Sequence, residues 1–197
     1  MIRISSALLL TVLVVGCSTE GIQTRFYTLN GPNIHQLKEE RGVERPVLLI
    51  ETISLSDYLR QQGIVVKNTE HRLSISNNHR WAESLENSLS RTVRMELEKR
   101  LTQYRIENQN TSWKTKPTLR LKIKVNRFEL DNLKKQAVSF GRLWIFDENG
   151  ELQSSFRYSI EEDLEEGGFE HAVAKLELTV GKLADIITAN VESLNAL

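Results

Sequence analysis

Apolar and polar positions divide the chain into one uncharged run and a long patterned remainder. Ile4 to Val15 is apolar except for Ser5, Ser6 and Thr11, and nothing later approaches its length. Beyond Arg25 the pattern predicts strands and two helices. Phe26-Tyr27-Thr28-Leu29 reads as a short strand, and a polar stretch from Asn30 to Pro46 follows it. Val47 to Ile53 is apolar on both alternating faces, as in a central strand. Asp57 to Gln62 predicts a helical turn before Gly63, and Ile64-Val65-Val66 and Arg72 to Ser76 predict two more strands. Trp81, Leu85, Leu89, Val93, Leu97 and Leu101 are spaced by four, which predicts a helix with Asn77 and Asn78 as candidate N-caps. Tyr104-Arg105-Ile106 then returns the chain to the sheet.

The second half predicts an antiparallel meander. Leu119, Leu121, Ile123 and Val125 alternate with Arg120, Lys122, Lys124 and Asn126, after which the apolar phase moves to even positions at Phe128 and Leu130. One extra residue near Asn126-Arg127, a β-bulge, would return the same face to the core. Strands over about Gln136–Asp147 and Glu151–Glu161 follow, joined at Asn149-Gly150, a sequence suited to a type I′ hairpin. Phe169, Val173, Leu176, Val180, Leu183, Ile187 and Leu194 give the last helix about seven turns. The expected fold is α/β: a single domain with a mixed, largely antiparallel sheet and two long helices. No internal repeat or domain linker interrupts it.

The apolar run changes the picture of where this domain works. Met1-Ile2-Arg3 places a positive charge before it and Gly16-Cys17 ends it, the layout of a secretory signal peptide. At about a dozen residues the run falls short of the roughly 20 needed to span a bilayer as a helix, so no permanent transmembrane helix is predicted. Val14-Val15-Gly16-Cys17 resembles the bacterial lipobox, which implies a diacylglyceryl group on Cys17. The alternatives are an ordinary signal peptide, or a buried apolar helix. Lipidation alone explains why the only Cys sits at the end of the only uncharged run. Ser18 in place of Asp implies sorting to the outer membrane. The chain then divides into 1–16 signal peptide, 17–25 lipidated tether and 26–197 folded domain. Fully extended at about 3.3 Å per residue, Ser18 to Arg25 reaches roughly 26 Å. The domain must therefore sit against its own membrane, and a partner on the opposite membrane must come to it.

Composition narrows the chemistry. The 197 residues carry 26 Lys+Arg and 26 Asp+Glu, a balance that disfavours a nucleic-acid partner. One Cys cannot form an internal disulfide or a thiolate cluster, and His35, His71, His79 and His171 lack ligand spacing, so no metal or other cofactor is expected. No Gly-rich phosphate loop, GxSxG elbow or Ser/His/Asp layout falls on suitable elements, and the chain does not read as an enzyme. Lys114, Lys116, Arg120, Lys122 and Lys124 form a basic cluster; Glu161, Glu162, Asp163, Glu165 and Glu166 form an acidic one. Each is a solvated face, or the two meet between neighbouring subunits, or the basic stripe contacts phospholipid headgroups. Trp113 either dips into a lipid interface, anchors a partner or packs on its own domain.

Three segments carry a family resemblance. Phe26-Tyr27-Thr28-Leu29 after the lipidated Cys, Ser56-Asp57-Tyr58-Leu59-Arg60-Gln61-Gln62-Gly63-Ile64-Val65-Val66, and Arg80-Trp81-Ala82-Glu83-Ser84-Leu85 at a helix start resemble the PqiC family of ABC-type transport auxiliary lipoproteins. Ser84 and Gln62-Gly63 depart from the family's commoner Pro and Pro-Gln. The resemblance implies a fold similar to the TolB amino-terminal domain and attachment to the inner leaflet of the outer membrane, facing the periplasm. It also implies a PqiB-like partner with stacked MCE domains forming a tunnel, a role in intermembrane lipid transport and envelope integrity, and a homo-oligomer. The motif residues Tyr58, Leu59, Ile64, Val65 and Trp81 are expected in the core. Other function classes stay open on the residues alone: a structural lipoprotein assisting barrel or lipopolysaccharide assembly, or a lipid-anchored hydrolase.

Overall fold

The structure, a computed structural model, describes residues 23–31, 45–109 and 116–195. The described elements run β1 (Arg25–Tyr27), β2 (Val47–Leu55), a 3-10 turn (Asp57–Arg60), β3 (Gly63–Thr69), β4 (Arg72–Trp81) and α1 (Leu85–Arg100). They continue with β5 (Arg105–Asn108), β6 (Leu119–Asp131), β7 (Gln136–Asp147), β8 (Leu152–Asp163) and α2 (Phe169–Asn195). The single domain is a mixed eight-stranded sheet with two helices, as the periodicities predict.

β6 organises the sheet. Along one edge it pairs antiparallel with β7 over its whole length, and β8 extends that meander. Along the other edge it forks: Leu119 to Val125 pair in parallel with β2, and Leu130 and Asp131 with β3. β5 adds to β2 in parallel; β4 adds antiparallel to β3 and carries β1 as a short parallel edge. The expected bulge is present, since pairing to β7 shifts between Val125 and Arg127 and leaves Asn126 as the extra residue. Its effect is the one the sequence requires. Leu121, Ile123 and Val125 before it and Phe128 and Leu130 after it all reach the same buried core.

Both helices lie on one face of the sheet, α1 against β2 and β5, α2 against β6, β7 and β8, and they pack on each other. Leu85, Leu89, Val93 and Leu97 of α1 and Val173, Leu176, Val180, Leu183 and Ile187 of α2 are buried there. Arg100 bridges the seam, with Nε 2.6 Å from Asp185 Oδ1 and Nη2 donating to the Gly181 carbonyl at 3.2 Å. Leu29, fully buried, is held at the helices by its carbonyl, which accepts from Arg91 Nη2 at 2.8 Å. The Glu177 carboxylate takes the backbone N–H groups of Asn30 and Gly31 at 2.9 and 3.1 Å.

Four expectations are corrected. The strand at Phe26–Leu29 ends at Tyr27, because Leu29 leaves the sheet to fill the core. Asn77 and Asn78 do not cap α1: both lie inside β4, and the cap is Ser84, whose Oγ accepts the Asn87 N–H at 3.3 Å. Trp81 is buried by its place at the end of β4, tilted against Phe128 with ring centroids 6.2 Å apart, so a spacing of four continued past the true helix start. The hairpin at Asn149-Gly150 is not type I′, since only Gly150 has positive φ (85°). The Gly150 N–H bonds to the Asp147 carbonyl at 3.1 Å and the Asp147 N–H to the Glu151 carbonyl at 3.0 Å, which makes a type I turn closed by a glycine bulge.

Candidate functional site

The fork in the sheet is filled by the segment that carries the family motif. The Ser56 N–H bonds to the Val125 carbonyl at 3.1 Å, and the 3-10 turn then buries Leu59. The Tyr58 hydroxyl donates to the carbonyl of bulged Asn126 at 2.9 Å and lies 2.8 Å from Glu129 Oε2. Burial, and then the Glu129 carboxylate, push the Tyr58 phenol well above its ordinary value. Arg127 Nε donates to Glu129 Oε1 at 2.8 Å. This arrangement pins the bulge: the Tyr58 hydroxyl sits between the carbonyl of bulged Asn126 and a carboxylate already matched by an arginine. Gly63 follows because a Cβ there would lie 2.2 Å from the Ser76 carbonyl oxygen.

Asp131 ends the same buried line. Its Oδ1 accepts the N–H groups of Leu133 and Lys134 at 3.0 and 3.1 Å, with Arg127 and Lys67 at 3.5 and 3.7 Å from Oδ2. Desolvation alone would raise its pKa, but these two backbone bonds and two cations hold it below the ordinary carboxylate value. A depressed folded-state pKa gives stability that is present above the unfolded value near 4 and is lost as pH falls through the folded value. Thermal melts are therefore expected to fall below about pH 4 in the native chain. Asp131→Asn should be less stable at neutral pH and lose acid sensitivity; an unchanged acid limb would remove Asp131 as its cause.

The face of the sheet opposite the helices carries the basic cluster. Arg120 and Lys122 both reach Glu51, at 3.2 and 3.1 Å, because a register shift between Ile50 and Thr52 turns that extra residue toward them. Lys122 also stands 5.0 Å over the Phe146 ring, and Lys116 is 3.8 Å from Glu148. The acidic cluster is engaged by its own chain. Lys134 meets Glu161 at 3.5 Å, Lys182 meets Glu162, Lys175 meets Glu165 at 3.3 Å, and Gln136 Nε2 donates to Asp163 at 3.0 Å. These partners lie far off in sequence and could not be read from the clusters themselves.

A second feature, missed by sequence reasoning, is an open cleft of about 620 Å³ at the start of α2, where Val66, Ser74, Leu130, Leu164, Phe169 and Ala172 line it. Beside it His79 stacks on Phe169 at 3.8 Å, and the Tyr27 hydroxyl lies 2.7 Å from His79 Nδ1, so this histidine is a packed, hydrogen-bonded residue. Among the described residues no group of three His, Cys, Asp or Glu could hold a metal, and no helix is long and apolar enough to cross a membrane. Cys17, His35, Trp113, Lys114 and most of the 30–46 stretch lie outside the described residues.

The family model described as ABC-type transport auxiliary lipoprotein component matches residues 27–188. Among solved structures, the crystal structure of an uncharacterized protein superposes with a TM-score of 0.72 at 18% identity, covering 86% of this chain and 99% of that one. A Xanthomonas campestris protein of the DUF330 family superposes with a TM-score of 0.64 at 15% identity, covering 79% of this chain and 90% of that one. At these identities the two structures show the shared fold. A comparison with curated proteins found no match.

Proposed function

The chain belongs to the ABC-type transport auxiliary lipoprotein family, and on that footing we propose that it is an outer-membrane lipoprotein that docks a PqiB-like MCE tunnel in intermembrane lipid transport. The family is one of transporter components, not of enzymes, and the observation that carries the reading is the extent of the match, from β1 to within a turn or two of the end of α2. In this account Cys17 carries the lipid and holds the domain at the inner leaflet of the outer membrane. The tether allows little travel, so the tunnel spans the periplasm and the domain receives its end.

A rotationally symmetric tunnel end is met most simply by a symmetric partner, so the docking unit is taken as a homo-oligomeric ring. The pairing of the acidic cluster within its own chain weakens charge alone as the ring's adhesive; shape and apolar contact must supply the rest. One experiment tests docking and ring together. The lipidated chain in detergent is mixed with the cognate MCE protein and sedimented. A complex containing several copies of this chain is expected; a chain that stays monomeric and leaves the tunnel unbound contradicts the reading.

A further inference from the structure

On the helix-free face, the cross-strand row next to the Glu51 cluster is cationic on all three strands. Lys124 of β6 is directly opposite Arg142 of β7, and Arg142 is directly opposite Arg157 of β8. All three side chains are exposed, and none has a carboxylate partner among the described residues. Arg142 only donates Nε to Ser155 Oγ, at 3.2 Å. Like charges directly opposite in a sheet repel and destabilise it. The neighbouring rows avoid this, since Arg120 and Lys122 share Glu51, and Arg127 serves Glu129 and Asp131.

The row also has walls. Phe140 and Trp144, two residues either side of Arg142 on β7, are half-buried on the same face, and the Arg142 guanidinium lies 5.5 Å from the Trp144 ring. With Lys124, Arg142 and Arg157 they enclose an open groove of about 480 Å³, and the bulged Asn126, whose buried Oδ1 has no protein partner, also lines it. An aromatic wall beside uncompensated cations suits a ligand that is anionic at one point and apolar alongside it. A second copy of this chain is a poor source of that charge, because its acidic cluster is already engaged internally.

We propose that the groove over Lys124, Arg142 and Arg157 binds the phosphate-bearing headgroup of an anionic phospholipid, with Trp144 and Phe140 against its glyceryl and upper acyl portion. The proposal rests on the membrane-facing reading above, but its site lies within one chain and needs no tunnel.

The test is calorimetric titration of the full lipidated chain, in a neutral detergent, with dihexanoylphosphatidylglycerol below its micelle concentration. Parallel titrations use dihexanoylphosphatidylcholine, inorganic phosphate and a short glutamate-rich peptide. The glycerol lipid is expected to bind best and to weaken as salt is added. Changing Lys124, Arg142 and Arg157 together to Gln should weaken it at least tenfold, and Arg157→Gln alone about threefold. Both variants should melt at or above the native temperature, because repulsion has been removed. Binding by the triple variant within twofold of native would overturn the proposal. So would phosphatidylcholine or free phosphate binding as well as the anionic lipid. Tighter binding of the acidic peptide would give the groove to a protein partner instead. Each of these failures leaves tunnel docking, read by sedimentation with the MCE protein, unaffected.

Discussion

Gly141→Ala is expected to destabilise the domain severely. Gly141 sits in the central strand of the meander, opposite Val125 on β6 and Tyr158 on β8. A Cβ there would lie 2.0 Å from the Lys124 carbonyl oxygen and 2.6 Å from the Tyr158 hydroxyl. The first contact is with backbone, which cannot swing away as a side chain does, and it falls beside the bulge that brings Phe128 and Leu130 to the core. Overpacking usually costs about 1–3 kcal/mol, occasionally more. Here relief means prying β6 from β7, so a loss of at least about 3 kcal/mol is expected, against the roughly 5–15 kcal/mol that holds a typical domain folded. Urea melts of the native and variant domains measure this. Gly167→Ala is the control, because a Cβ there meets nothing within 4 Å. Equal midpoints for Gly141→Ala and native would refute the assigned register at the bulge.

Cys17→Ala is expected to abolish metabolic labelling with palmitate and to stop processing by the lipoprotein peptidase. At about 0.8 kcal/mol per buried methylene, one acyl chain holds a protein to a membrane only marginally, while two or three hold it durably. Loss of the thiol removes all of them, because the chain contains no other Cys. The folded domain is expected to be unaffected, since the first described strand begins at Arg25, eight residues after Cys17. A variant that remains labelled and membrane-bound would show that the anchor is elsewhere.

What the sequence made legible was local and periodic. The shift from Val125 to Phe128 announced the bulge because a half-buried strand cannot change phase without an extra residue. The stripe from Leu85 to Leu101 announced α1 for the same kind of reason. Errors came where two elements shared a rhythm: Trp81, one step of four before Leu85, ends a strand, and the polar Asn77 and Asn78 that resembled caps belong to β4, flanked by β3 and β1. The hairpin was placed correctly, but its turn type depended on whether Asn149 or only Gly150 would adopt positive φ. The fork of β2 and β3 on β6 was not legible at all, since parallel pairing is set by contacts between distant segments. The proposed functional residues divide in the same way. Cys17 is visible as a proposed anchor because a lipidation signal is read in a short linear segment. The row of Lys124, Arg142 and Arg157 exists only after three strands are set side by side, and the pairing that spares Arg120 and Lys122 depends on Glu51, far upstream.

Receipt of the end of a periplasm-spanning MCE tunnel by this lipoprotein is tested most directly by crosslinked affinity capture of the lipidated chain from detergent-solubilised envelopes. An MCE-domain protein is expected as the principal crosslinked partner, and its loss from the membrane-bound capture is expected when Cys17 is replaced by Ala. Capture of an outer-membrane barrel or lipopolysaccharide-assembly protein in its place, or of no stable partner, would contradict it.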